Sequence, residues 1–371
     1  MLQAAIDDEE LRSMIEALNP DGVTVFTLGG PQGPSGGEAR GVLVHGTRMV
    51  NHMRANHRLG PPETLLLGRA YLAAALMGAT MKGEDSVSIR VSGDGPAEGF
   101  SVEGRSVGAG SAAGGAARDA ALPGSAAAHG EAGGASQGTA MPGGGVAGGA
   151  PGVNVRGYLF RAPIPLERPL ESSDLAPLVG QGSLSVTRFI SGAPRPFTGT
   201  ISLRSGRLAE DLAAYYLESE QTRTAFRLSV RLDAQGRAIG AGGLFLQALP
   251  GAGEDFIARA EAALIGLPSL GLWFAEGGTR EGAVGSAFGE LGAELREERE
   301  VRFACGCGRE RFASFLAASK AEFLRELSEE GPWPVEAHCH NCGTTYAFGK
   351  DEIDGFLARR EAAEKSPREE P

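Results

Sequence analysis

The four cysteines of this chain fall in two close pairs. Gly306 alone separates Cys305 from Cys307, and His340 and Asn341 separate Cys339 from Cys342. Thirty-one residues lie between the pairs. Two sulfurs on each of two tight turns are what a tetrahedral ion needs, and zinc binds thiolates at about 2.3 Å. Gly306, Gly308 and Gly343 suit the tight, sometimes left-handed backbone of such turns. A closed shell of four cysteines leaves no position for a water, so the pattern reads as structural rather than hydrolytic zinc. One Zn2+ per chain is therefore expected on Cys305, Cys307, Cys339 and Cys342. His338 and His340 flank Cys339 and read as spectators. A structural zinc module never oxidised in use and a pair of plain disulfides are the competing readings. A thioredoxin-like Cys-x-x-Cys would need a βαβ context, which the flanks of Cys339 do not offer.

The same ligands suit a switch. Zinc needs thiolates, and thiolates are what oxidants attack. Arg302, Arg309 and Arg311 lie beside the first pair in sequence and favour its ionised form. A module of about fifty residues builds little core of its own. Its candidates are Phe303, Phe312, Phe315, Leu316, Phe323, Leu324, Leu327, Tyr346 and Phe348. Bound zinc contributes roughly 10–16 kcal/mol to such folds. Oxidation would therefore remove the ligands and the stabilisation together.

The elements that must position these residues fall into composition regimes, and their mixture predicts an α+β fold. Residues 1–250 form the expected mixed α/β core domain. Gly41 to His45 is a short β-branched run, and Ser86 to Ser92 alternates like a half-buried strand. Further strands are expected at Gly182–Ile190, Phe197–Arg204, Phe226–Leu232 and Gly243–Leu249. Glu63 to Met81 reads as a buried helix preceded by Pro61 and Pro62, and Leu208 to Ser219 has a helical period. About two-thirds of the segment from Gly108 to Gly152 is Gly or Ala, so it reads as a disordered insert unable to offset its ordering entropy.

Residues 251–301 read as a metastable helical linker. Gly266, Pro268, Gly271, Gly277, Gly278, Gly282 and Gly285 weaken its helices, and the charged stretch Glu294 to Glu300 is included in it. Phe256, Leu264, Leu270, Trp273 and Phe274 are its candidate client-binding residues. The small zinc-binding domain occupies 302–355, and 356–371 reads as a disordered tail.

The formal net charge over 371 residues is -11. An average field of that sign repels nucleic acid, which weighs against the alternative of a zinc-ribbon protein recruiting nucleic acid or a transcription partner. No apolar run approaches the roughly 20 residues needed to span a bilayer, and the acidic start is unlike a secretory leader. A cytoplasmic location follows as the expectation, with no membrane partner, and there thiols stay reduced. No Ser/His/Asp or paired-carboxylate constellation is assignable by spacing, so no enzyme activity is expected.

The run Cys305-Gly-Cys307-Gly-Arg-Glu-Arg311, followed by Cys339 and Cys342 with Tyr346 and Phe348 after them, resembles the 33 kDa chaperonin family, the redox-regulated heat-shock holdases of bacteria. Arg40-Gly41, Leu76-Met-Gly-Ala-Thr-Met81, Gly93-Asp-Gly-Pro96, Asn154-Val-Arg-Gly157, Tyr216-x-x-Ser-Glu-Gln221 and Ala241-Gly-Gly-Leu244, with Gln247 and Pro250, extend the likeness over nearly the whole chain. The Gly/Ala-rich insert and the glycine-rich linker depart from the family pattern. The resemblance implies an ATP-independent holdase, inactive when reduced and zinc-bound. It implies disulfides of Cys305 with Cys307 and of Cys339 with Cys342 on oxidation, zinc loss, linker unfolding, and a homodimer. That dimer would capture unfolding clients and pass them to ATP-driven foldases. Cysteines two apart on an extended strand lie roughly 6.5–7 Å apart, at the disulfide limit. A Cys305–Cys307 bond therefore needs a bend, which Gly306 permits.

Overall fold

A computed structural model describes residues 9–17, 19–29, 38–108, 151–166 and 174–365. The expected insert falls, but for its ends, on residues outside that set. Ten strands form one sheet. They are β1 (Gly22–Leu28), β2 (Ala39–His45), β3 (Ser86–Gly93), β4 (Gly99–Val107), β5 (Gly152–Leu159), β6 (Gly182–Phe189), β7 (Phe197–Ser202), β8 (Thr224–Leu232), β9 (Ala238–Ala248) and β10 (Glu294–Phe303). Their order is β7-β6-β3-β4-β5-β10-β1-β2-β9-β8. Two antiparallel halves thus meet at β10, which runs antiparallel to β1 and parallel to β5.

The helix Pro61–Ala79 lies across this seam and packs on strands of both halves. Its Leu- and Ala-rich sequence leaves no polar face, and Leu67 and all eight residues from Ala70 to Met77 are fully enclosed. Small residues let it sit close to the sheet. A Cβ on Gly104 would lie 2.0 Å from the Ala74 carbonyl oxygen. On β2, Val42 and Val44 face this helix, while Ala39 and Leu43 join a second core on the opposite face. Burial on both faces explains the near-continuous apolar runs of the strands beneath.

The second core is covered by three helices, Glu254–Gly266, Leu270–Ala275 and Arg280–Phe288. Pro268 falls in the break between the first two, and Gly277 (φ +83°) turns the chain between the last two. The charged stretch Glu294 to Glu300 is a correction to the helical reading: it is most of strand β10. Three acid–base pairs at spacing two, Glu294–Arg296, Glu297–Arg299 and Glu300–Arg302, each share one side of the strand. Pairing on both edges supplies its backbone partners, which outweighs the helix preference of Glu and Arg. The strand also runs through the expected domain boundary at Val301.

The C-terminal region carries a hairpin, β11 (Val335–His338) and β12 (Thr345–Phe348), with helices Arg309–Ala318, Ala321–Glu330 and Lys350–Lys365. The expected disordered tail at 356–371 is corrected as far as Lys365. Phe356 and Ile353 pack with Leu324 and Phe348 in a small core, and Arg325 pairs with Glu361. Phe315 and Phe323, expected in that core, are exposed, and Phe303 instead belongs to the main core, its ring 6.1 Å from that of Tyr71.

Candidate metal centre

Strand β10 delivers the first pair of cysteines. The Ala304 amide continues its ladder by donating to the Val155 carbonyl at 3.0 Å, and the chain then leaves the sheet at Cys305. The second pair sits in the turn of the β11–β12 hairpin. There the Cys339 amide donates to Thr344 O at 2.8 Å, and the Gly343 amide returns to Cys339 O at 2.7 Å. Gly343 has φ +67°, and a Cβ there would stand 2.4 Å from the Asn56 carbonyl oxygen. The turn is thus pressed against the end of the helix Thr47–His57 in the core domain.

All four sulfurs lie within 4.8 Å of one another. Cys305 and Cys339 are 3.7 Å apart, and Cys307 and Cys342 are 3.2 Å apart. Metal–sulfur bonds of about 2.3 Å in a tetrahedron put neighbouring sulfurs about 3.8 Å apart. The arrangement therefore fits a four-coordinate ion. Three of the cysteines are buried and Cys307 is half-buried. Without a cation the sulfurs compete for charge: Cys305 holds Cys307 down to about 7, and hydrogen bonds from the same thiol lower Cys342. Cys305 and Cys339 are pushed up, chiefly by Cys307 and by Cys305 respectively. A divalent ion would let all four ionise together.

The structure brings together the four sulfurs chosen from sequence. Neither flanking histidine joins the sulfur group: His338 has Nδ1 2.7 Å from Thr345 Oγ1, and His340 packs its ring 5.5 Å from that of Tyr158. The neighbouring arginines divide. Arg309 is held by Glu352 and the Ala347 carbonyl, and Arg302 by Asn154 and Glu300. Arg311 lines a cleft of about 760 Å³ that also reaches Cys305, Cys307 and Cys339.

Sequence reasoning missed two groups at the sulfurs. The Tyr346 hydroxyl lies 3.2 Å from Cys307 Sγ. Arg156, on β5, lines the same cleft as Cys305 and Cys307. Arg156 falls inside the run Asn154 to Gly157 that had stood out for its likeness alone. The candidate client-binding residues are not at the surface. Phe256, Leu264, Leu270 and Phe274 are buried in the second core, with Trp273 partly buried beside them.

A family model described as Hsp33 protein matches residues 34–349. The chain belongs to the Hsp33 family. Among curated relatives, the 33 kDa chaperonin of Desulforamulus reducens is 34% identical over 329 residues, 88% of this chain and 96% of that protein. The 33 kDa chaperonin of Latilactobacillus sakei subsp. sakei is 30% identical over 327 residues, 87% of this chain and 96% of that protein. The solved structure of the Hsp33 homologue from Thermotoga maritima matches with TM-score 0.69 at 24% identity. It covers 91% of this chain and 99% of that one, a likeness of fold. This Hsp33 chain is thus a chaperone by family, with a cysteine cluster compatible with a metal. No helix among its described residues is long and apolar enough to cross a membrane.

Proposed function

We propose that the chain is a redox-regulated, ATP-independent holdase. Its reduced, zinc-bound form is inactive, and oxidation switches it on. The observation that carries this reading is the convergence of two chain-distant cysteine pairs within 4.8 Å just beyond the C-terminal end of β10, the strand that follows the linker. Zinc is the metal that a closed four-thiolate shell suits best. Loss of the ion frees the turn at Cys305 and the hairpin at Cys339. Strand β10 follows directly from the linker helices, so loosening its end weakens their docking. The faces then released carry Phe256, Leu264, Leu270, Trp273 and Phe274, an apolar surface suited to unfolding clients. An oxidised homodimer and hand-over to ATP-driven foldases complete the proposal, in the cytoplasm and without a membrane or nucleic-acid partner.

Oxidation needs two electrons from each thiolate pair. With hydrogen peroxide as oxidant, one S–S bond forms and the O–O bond breaks. Two protons join the oxygens, which leave as two waters. Every pair of ligands in a tetrahedron is adjacent, so geometry in the cluster does not choose partners. Bonds within each pair, Cys305 with Cys307 and Cys339 with Cys342, close the smallest loops once the ion leaves.

The test is peroxide with mild heating, read by a chromogenic zinc chelator beside light scattering from aggregating citrate synthase. About one zinc per chain should appear as scattering falls, and Cys339→Ser should bind zinc weakly even when reduced. Zinc release with unchanged scattering would defeat the chaperone reading and leave the metal reading standing.

A further inference from the structure

An arginine ties the linker to the sheet from a place its own helix does not favour. Arg280 is the first residue of the helix Arg280–Phe288, where the helix dipole repels a cation. The Thr279 hydroxyl, accepting from the Gly282 amide at 3.0 Å, already caps that end. A residue that breaks a local preference points to a partner elsewhere in the fold.

The partners lie on the strands that meet at the seam. Arg280 Nε donates to Thr24 Oγ1 on β1 at 3.0 Å. Nη1 lies 3.5 Å from the Pro20 carbonyl oxygen, and Nη2 lies 3.5 Å from Glu298 Oε1 on β10. The Thr24 hydroxyl donates in turn to Glu298 Oε1 at 3.3 Å, and these two residues are cross-strand partners. Thr24 is fully buried and the arginine side chain is 18% exposed. Gly22 leaves room for the guanidinium, since a Cβ there would stand 2.8 Å from Nη1. Arg223 and Arg227 also touch the linker, through Glu254 and the Leu264 carbonyl, but they stand beside or on β8, at the edge of the sheet.

We infer that Arg280 is the positioning residue of the linker: it clasps the linker helices to β1 and β10 and must let go before they can leave. This deepens the reading above that linker release turns the holdase on, and rests on it. Strand β10 carries Glu298 and runs on toward Cys305, so movement of that strand reaches the clasp directly. A guanidinium parted from these acceptors is left buried and unpaired, a cost that undocking into water relieves.

The reduced, zinc-loaded full-length chain tests this, by hydrogen exchange and by light scattering from aggregating citrate synthase. Arg280→Gln should speed amide exchange in 254–291 by about 10-fold or more while 61–79 stays protected and the zinc is kept. It should also suppress client aggregation without oxidant. Arg280→Lys should recover part of the lost protection, because its ammonium restores a charged donor. Thr24→Val should act as Arg280→Gln does, and it carries the test if that variant does not fold. Arg223→Gln, which loses an exposed ion pair of the same linker, should change neither readout. Unchanged linker exchange in folded Arg280→Gln and Thr24→Val overturns the inference, as does an equal rise in Arg223→Gln. Faster linker exchange with no client protection leaves the clasp standing and overturns the holdase reading beneath it instead.

Discussion

Gly343 carries two constraints that no side chain meets. Its φ of +67° is left-handed, and its missing Cβ leaves room for the Asn56 carbonyl. A non-glycine residue in that region costs of order 1–3 kcal/mol before any clash. Gly343→Ala should therefore destabilise the reduced, metal-loaded protein by about that much or more, read as a lower melting midpoint. The change should also loosen metal binding, because Cys342 is the adjoining residue. Gly306 is a contrast: nothing lies within 4 Å of a Cβ there, so Gly306→Ala should fold almost unchanged.

Among elements, the linker helices decide whether the molecule presents an apolar face. Their docking includes His45, whose ring stacks 4.3 Å from that of Phe274 and whose Nε2 lies 2.9 Å from Thr47 Oγ1. Burial lowers the pKa of His45 to about 4, and Arg280 and Arg48 push the same way. The folded protein thus refuses a proton that the unfolded chain accepts below about 6.5. The resulting stability is intact above 6.5 and is lost as pH falls from there toward 4, at up to about 1.4 kcal/mol per unit. Urea unfolding at pH 7.5 and pH 5 should show that loss, and His45→Gln should flatten it. An equal slope in the variant would place the acid sensitivity elsewhere.

For the whole molecule, the two cores differ in what they need. The main core spans both halves of the sheet around Pro61–Ala79, while the C-terminal core is Leu324, Phe348, Ile353 and Phe356 with a partly buried rim. Chelating the metal from reduced protein should therefore release amide protection across 305–348 and preserve it in 61–79, as measured by hydrogen exchange. Loss of protection in both at once would make the fold a single cooperative unit. The cysteine spacing, the apolar helix and the alternating strands were legible in the sequence because each is a local pattern: ligand type, absence of a polar face, period two. Glu294 to Phe303 was misread as linker helix because Glu and Arg favour helices. Only its acid–base spacing of two marks it as a strand, and its place between β1 and β5 depends on edges made far away in the chain. The helix to Lys365 is likewise held by Leu324 and Phe348, which its own charged sequence does not reveal. Sequence by itself determined which four sulfurs gather and what ion chemistry suits them, since coordination depends on residue type and short turns. Tertiary structure alone decided that the cysteine turn at Gly343 presses on Asn56 of the core domain and that the linker's apolar faces are covered by Phe26, Leu28 and Leu43, because both are contacts between segments about two hundred residues or more apart in the chain.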